Sequence, residues 1–198
     1  MLLSFYYDFL LKFLPLDSFC LIESDTDSLY IALSEKSLFL TVPVNKRSEF
    51  TEAYDTWFAK EYCDQHKAKF FSDMFNSKEW KPDPCCAVVG KHDSRTIGKF
   101  HQEFKGSGML ALCSKCYYCI GGNSKKSAKG ISHIHNSLGE SDYREVLLHQ
   151  TEHKATNKGF RITPGGIFTY TQAKKGLSYL YGKRIVCADH VTTLPTRL

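Results

Sequence analysis

The sequence has no hydrophobic run long enough to cross a membrane, no glycine-rich phosphate loop and no Ser/His/Asp hydrolase signature. Its most apolar stretch, MLLSFYYDFLLKFL at residues 1–14, is interrupted by Asp8 and Lys12 and is too short to span a bilayer. The same stretch lacks the basic flank and small-residue cleavage site of a secretory signal. No internal repeat or low-complexity block stands out, which argues against a repeat array. The eight cysteines are scattered rather than set out as a disulfide framework. A chain of 198 residues, 42% hydrophobic and 14% aromatic, builds a core without covalent staples, so the thiols imply a reducing compartment. Charge of one sign is in modest excess: 26 Lys+Arg against 21 Asp+Glu give a formal +5, which suits a polyanionic partner.

Leu2, Tyr6, Phe9, Leu10 and Phe13 recur at helical intervals before Pro15, so the opening stretch reads as a buried amphipathic helix. Two β-prone runs follow, Phe19 to Glu23 and Ser28 to Leu33, joined by SDTD, whose composition is that of a tight turn. Ser48 reads as the N-cap of a second helix with Phe50, Ala53, Tyr54, Trp57 and Phe58 on its apolar stripe. Lys78 to Ser94 is rich in Pro, Asp and Lys and reads as a loop between two lobes. Phe100 to Phe104 alternates as a strand, and a Gly106/Gly108 turn leads to a second strand from Met109 to Ile120. GGNSKKSAKG reads as an exposed basic loop. A third helix is expected near Ser141, then two short strands about Pro-Gly-Gly and a last helix through Ala173, Leu177 and Leu180. The fold class is α+β.

Asp25 and Asp27 sit where a rigid hairpin tip brings two carboxylates to one point, a geometry that suits a hard divalent cation. A calcium-binding EF-hand loop does not fit, because its glycine and glutamate positions hold Tyr30 and Lys36. A haloacid-dehalogenase-type phosphatase would use Asp25 as nucleophile and Asp27 as acid/base. It would then need a doubly wound α/β unit and a later acidic pair, whereas a β-run follows here.

The tetrad Asp25-Thr26-Asp27-Ser28, preceded by a helix and followed by Leu29-Tyr30, resembles the palm hairpin of family B DNA polymerases. Lys115-Cys116-Tyr117 is similar to that family's Lys-x-Tyr motif, and Lys129-Gly130 to the Lys-Gly pair of its viral and mobile-element branches. With GKFHQEFKGSGMLALCSKCYYC, NKGFRI and KRIVCADHVTT, the resemblance is to the protein-primed branch of Polinton or Maverick elements and covers nearly all of the chain. It implies template-directed DNA synthesis from dNTPs on a primed DNA template, with a two-metal Mg²⁺ site and a terminal priming protein as a further partner. Asp27 would ligate metal with Asp25 in support, Lys115 and Tyr117 would meet the primer terminus from one strand face, and Lys129 and Gly130 would meet DNA backbone. Residues 1–140 would form a partial palm and residues 141–198 a thumb-like region. The branch implies an intracellular protein, nuclear in a eukaryotic host, and no membrane partner.

Glu23 and Ser24 depart from the family pattern before the first Asp. The family's earlier metal-binding Asp-x-x-Ser-Leu-Tyr-Pro motif and its fingers helix are not among these residues. The resemblance therefore implies a C-terminal portion with little activity alone, or a non-catalytic DNA-binding remnant. A zinc-binding module is the alternative from another class, with Cys113, Cys116 and Cys119 in CSKCYYC and Cys85, Cys86 and His101 upstream. Residues three apart on a strand face opposite sides, which argues against Cys113 and Cys116 chelating together. His149/His153 and His133/His135 read as surface histidines.

Overall fold

Phe5, Phe9 and Phe13 recur every four residues, an interval that overshoots the 3.6-residue turn of an α-helix. The first helix absorbs the mismatch: α-helical turns at Leu2–Ser4 and Leu11–Phe13 flank a π-helical stretch at Phe5–Leu10, where the Leu11 N–H reaches back to the Tyr6 carbonyl. The wider turn keeps the three rings on one buried face, with centroids 5.3 Å apart for Phe5–Phe9 and 5.0 Å for Phe9–Phe13. Leu14 leaves the helix in extended backbone, as steric conflict with Pro15 requires.

This computed structural model describes residues 1–122, 125–132, 135–179, 184–189 and 192–195. Its contacts divide the chain into two units, Met1–Glu103 and Phe104–Leu198, each with its own apolar cluster. In the first unit, β1 (Phe19–Asp25) and β2 (Ser28–Leu33) pair antiparallel, with Ile22 as the extra residue of a bulge. Phe19, Leu29, Ile31 and Leu33 pack against an aromatic core built from the first helix and the helices Arg47–Trp57 and Lys67–Phe75. Phe9, Phe50 and Tyr62 at its centre are fully buried, each stabilising the fold by about 2 to 3 kcal/mol through area burial. One face of the hairpin is thus anchored, while Cys20 to Ile22 on β1 and the tip are exposed.

The first unit departs from the sequence reading in three places. Arg47–Trp57 starts after Lys46, so Ser48 lies inside the helix rather than capping it. Lys78 to Ser94 is not one loop: Pro84 stands at the first helical position after Asp83 and opens a helix over Pro84–Asp93. Phe100 to Phe104 is not a strand, since Phe100 alone pairs, in a single bridge with Phe58.

In the second unit β3 (Gly108–Cys113), β4 (Cys116–Ile120) and β5 (Lys126–Ser127) form an antiparallel sheet in that order. The helix Glu140–His149 buries Tyr143 and Val146 in the same cluster as Leu110 and Cys116, and the Tyr143 hydroxyl donates to the Ser127 carbonyl at 2.7 Å. That helix belongs with the sheet, so contacts part the chain at residue 103 rather than at 140. A long hairpin follows, β6 (His153–Thr163) and β7 (Gly166–Leu177), turning at Pro164–Gly165. Ala173 and Leu177 therefore lie on a strand and not on the expected helix, and Leu180 lies outside the described residues. β-Branched and aromatic residues gather on either side of the turn, at Phe160, Ile162 and Thr163 and from Ile167 to Thr171, and eleven paired positions outweigh the weak helical spacing. A short pair, β8 (Arg184–Val186) with β9 (Thr193–Pro195), completes the unit.

Candidate functional site

Two sites follow from the residues. The first is the tip of the β1–β2 hairpin. Asp25 pairs with Ser28, so Thr26 and Asp27 form the turn. Thr26 takes φ +54°, unusual for a β-branched residue, and the Asp27 N–H donates to the Asp25 carbonyl at 2.6 Å. The Thr26 hydroxyl donates to Asp25 Oδ1 at 3.0 Å and fixes that carboxylate, which is half-buried, while Asp27 is exposed. The two aspartates flank Thr26 at the tip, on a backbone held in a sparsely populated conformation of the kind that concentrates at functional sites. Oxygen donors of this sort suit Mg²⁺, which takes one or two carboxylates and fills its remaining positions with water and phosphate oxygens. Glu23, where the family pattern has a tyrosine, is buried opposite Tyr30.

The second set of sequence-predicted residues lies in the other unit. Lys115 is exposed but does not lie on a strand: Cys113 pairs with Cys116, and Ser114–Lys115 is the turn between β3 and β4, with Lys115 at φ +64°. Lys115 and Tyr117 therefore do not share a strand face. Tyr117 is buried, paired with Ala111 and Ser127, and the Ser127 hydroxyl donates to the Lys115 carbonyl at 2.9 Å. The basic stretch after it is partly strand: Lys126 lies on β5 and donates to the Leu138 carbonyl at 2.7 Å. Lys129 is exposed beside Gly130, which takes φ +74° and accepts from Lys174 Nζ at 3.1 Å.

The other cluster was only half visible in the sequence. Cys63, His66, Cys85 and Cys86 are the one set of three or more His, Cys, Asp or Glu donors that converges among the described residues. Cys63 precedes the short 3-10 helix Asp64–His66 that runs into Lys67–Phe75, and the Cys85–Cys86 pair occupies the first turn of Pro84–Asp93. The three sulfurs lie 3.6, 3.7 and 4.0 Å apart, and each is 3.2 to 3.6 Å from His66 Nδ1. His66 Nε2 faces Asp83 Oδ2 at 3.4 Å, and the Cys63 N–H donates to Cys86 Sγ at 3.5 Å. Cys86 is fully buried, Cys63 and His66 half-buried, and Cys85 exposed. The thiols are poised unequally. Burial pushes Cys63 up, but hydrogen bonds from His66, Cys85 and Cys86 outweigh it and leave the group at about 7. Its hydrogen bond to Cys63, then burial, pushes Cys85 up to about 11. Three adjacent thiols do not all ionise without a cation to compensate them.

Of this cluster the sequence reading flagged only Cys85 and Cys86, and grouped them with His101, which instead faces Glu103 at 3.7 Å. The missed signal is Cys-x-x-His at 63–66, a metal-ligand spacing followed by the Cys-Cys pair at 85–86. Cys116 and Cys119 are buried in the second unit. His149 ends a helix and His153 begins β6, so they are not one helical turn, and His133 lies outside the described residues. No family model matches this chain, and no characterised protein or solved structure matches it significantly. No helix among the described residues is long and apolar enough to cross a membrane.

Proposed function

We propose that this chain is the palm and thumb portion of a family B type DNA polymerase, which binds primed DNA and contributes Asp25 and Asp27 to a Mg²⁺ site for nucleotidyl transfer from dNTPs. The observation that carries this reading is the hairpin tip: in Asp25-Thr26-Asp27-Ser28 two aspartates flank one turn residue, on a hairpin packed against the preceding helix. Bound there, Mg²⁺ would supply charge neutralisation for phosphate oxygens during transfer.

The chain's own residues have separable tasks. Asp27, exposed at the tip, is the direct ligand, and Asp25 is held in place by the Thr26 hydroxyl. Lys115, raised on its turn, offers a compact charge to a backbone phosphate. Tyr117, buried behind it, supports the turn through the strand pairing with Ser127 rather than touching a primer. Lys154 and Lys158, four residues apart and both exposed, share one face of β6, and such a pair on a two-stranded arm suits a phosphate backbone. Two carboxylates are half of a two-metal ligand set, so the chain alone binds primed DNA and extends it little. Anisotropy of a labelled primer–template tests the reading. Affinity should fall linearly with salt on logarithmic axes, and Lys115→Ala should reduce that slope by about 1. Absence of salt-dependent binding would sink it.

A further inference from the structure

We propose that Cys63, His66, Cys85 and Cys86 bind one zinc ion that fastens the Lys67–Phe75 helix to the Pro84–Asp93 helix. A tetrahedron with Zn–S of about 2.3 Å and Zn–N of about 2.0 Å has sulfur–sulfur edges near 3.8 Å and sulfur–nitrogen edges near 3.5 Å. The four donors already stand on such a figure, with sulfur–sulfur distances of 3.6, 3.7 and 4.0 Å and sulfur–nitrogen distances of 3.2, 3.3 and 3.6 Å. All six edges agree within about 0.3 Å. A fifth position is not built: the four donors close the figure, which is the mark of a structural site.

The surroundings support the same occupant. With zinc on Nδ1, the ring proton sits on Nε2 and faces Asp83 at 3.4 Å, the carboxylate–histidine arrangement that orients a ligating imidazole. The Cys63 N–H points at Cys86 Sγ, and Cys85 and Cys86 sit in the first turn of a helix, where free N–H groups and the dipole favour thiolates. Binding displaces one proton from each thiol to solvent and leaves the four-donor site with a net charge of −1. Soft sulfur donors rule out Mg²⁺ here, so this centre is distinct from the hairpin carboxylates. Its place in the unit gives it a mechanical task. Farther along the same helix, Asp93 accepts from the Lys60 N–H at 2.6 Å, so the Lys60 to Cys63 segment is tied at both ends of Pro84–Asp93, at one end by the metal.

Elemental analysis of the purified full chain tests this, together with cobalt substitution and cysteine mapping. The expected results are one zinc per chain and, with Co²⁺, a thiolate charge-transfer band with the visible absorption of tetrahedral cobalt. In the wild type, alkylation followed by mass spectrometry should find Cys63, Cys85 and Cys86 protected until a chelator removes the metal. Cys20, exposed on β1, should react throughout. Asp83→Asn should weaken zinc by about 10- to 100-fold in a chelator competition. Zinc well below stoichiometry after reconstitution would overturn the proposal. So would equal alkylation with and without zinc, or stoichiometric zinc in Cys63→Ser/Cys85→Ser. Zinc content does not depend on DNA binding, so this proposal and the polymerase reading fail separately.

Discussion

Truncating Phe9 to alanine removes the ring on which the first unit is built. Phe9 is fully buried and lies within 6.0 Å, centroid to centroid, of the rings of Phe5, Phe13, Phe50, Trp57 and Phe58. Loss of a buried phenylalanine costs about 3 to 5 kcal/mol, the cavity term included. Five ring partners in a helix that cannot collapse onto its neighbours place Phe9→Ala near 4 kcal/mol. With an m value of about 2 kcal/mol/M, the urea midpoint should fall by about 2 M. Both tryptophans, Trp57 and Trp80, belong to Met1–Glu103, so tryptophan fluorescence follows this unit selectively. The titration is run on zinc-saturated protein to hold the metal contribution constant. Phe9→Leu, which keeps much of the volume, should lose clearly less than the alanine variant. A loss under about 1 kcal/mol for Phe9→Ala would refute the aromatic core as the support of the hairpin.

Two further perturbations address the supports of each unit. Burial raises Asp93, but the Lys60 amide, the Lys99 ammonium and the Thr96 hydroxyl outweigh it and hold the carboxyl below its ordinary 3.8. Its stabilisation is therefore complete above that value and is lost as pH falls through the lowered folded value. Asp93→Asn should cost about 2 kcal/mol near neutrality, and the gap to wild type should close in acid, read from urea midpoints across pH. Gly130→Ala forces a side chain onto φ +74° and within 2.9 Å of Lys174 Nζ. The lysine tip can move but the backbone cannot, so a loss of about 1 kcal/mol by thermal unfolding is expected.

Local patterns carried much of this fold. The first helix, the SDTD hairpin and the helix after Gly139 were legible because each has strong periodicity or turn chemistry within a short window. The Pro84–Asp93 helix was obscured by proline, which reads as a breaker, although at the first helical position it is an initiator. Lys115 was misplaced because Ser-Lys is an undistinguished turn pair, and only the pairing of Cys113 with Cys116 reveals that the strand ends there. Ala173 and Leu177 have helical spacing, yet the ladder of β6 and β7 overrides it. The cysteine–histidine cluster was hidden for a different reason. Its halves lie 19 residues apart, from His66 to Cys85, and the order of helices between them is what brings them together.

The claim that Asp25 and Asp27 form part of a polymerase metal site is tested most directly with Mn²⁺ as a spectroscopic stand-in for Mg²⁺. Electron paramagnetic resonance titrations of zinc-loaded protein would follow Mn²⁺ binding alone, then with primer–template and a complementary dNTP. Weak binding that tightens with DNA and dNTP, and is lost in Asp27→Asn while DNA affinity persists, is the predicted result. Equal Mn²⁺ binding by wild type and Asp27→Asn, or no response to DNA and dNTP, would contradict it.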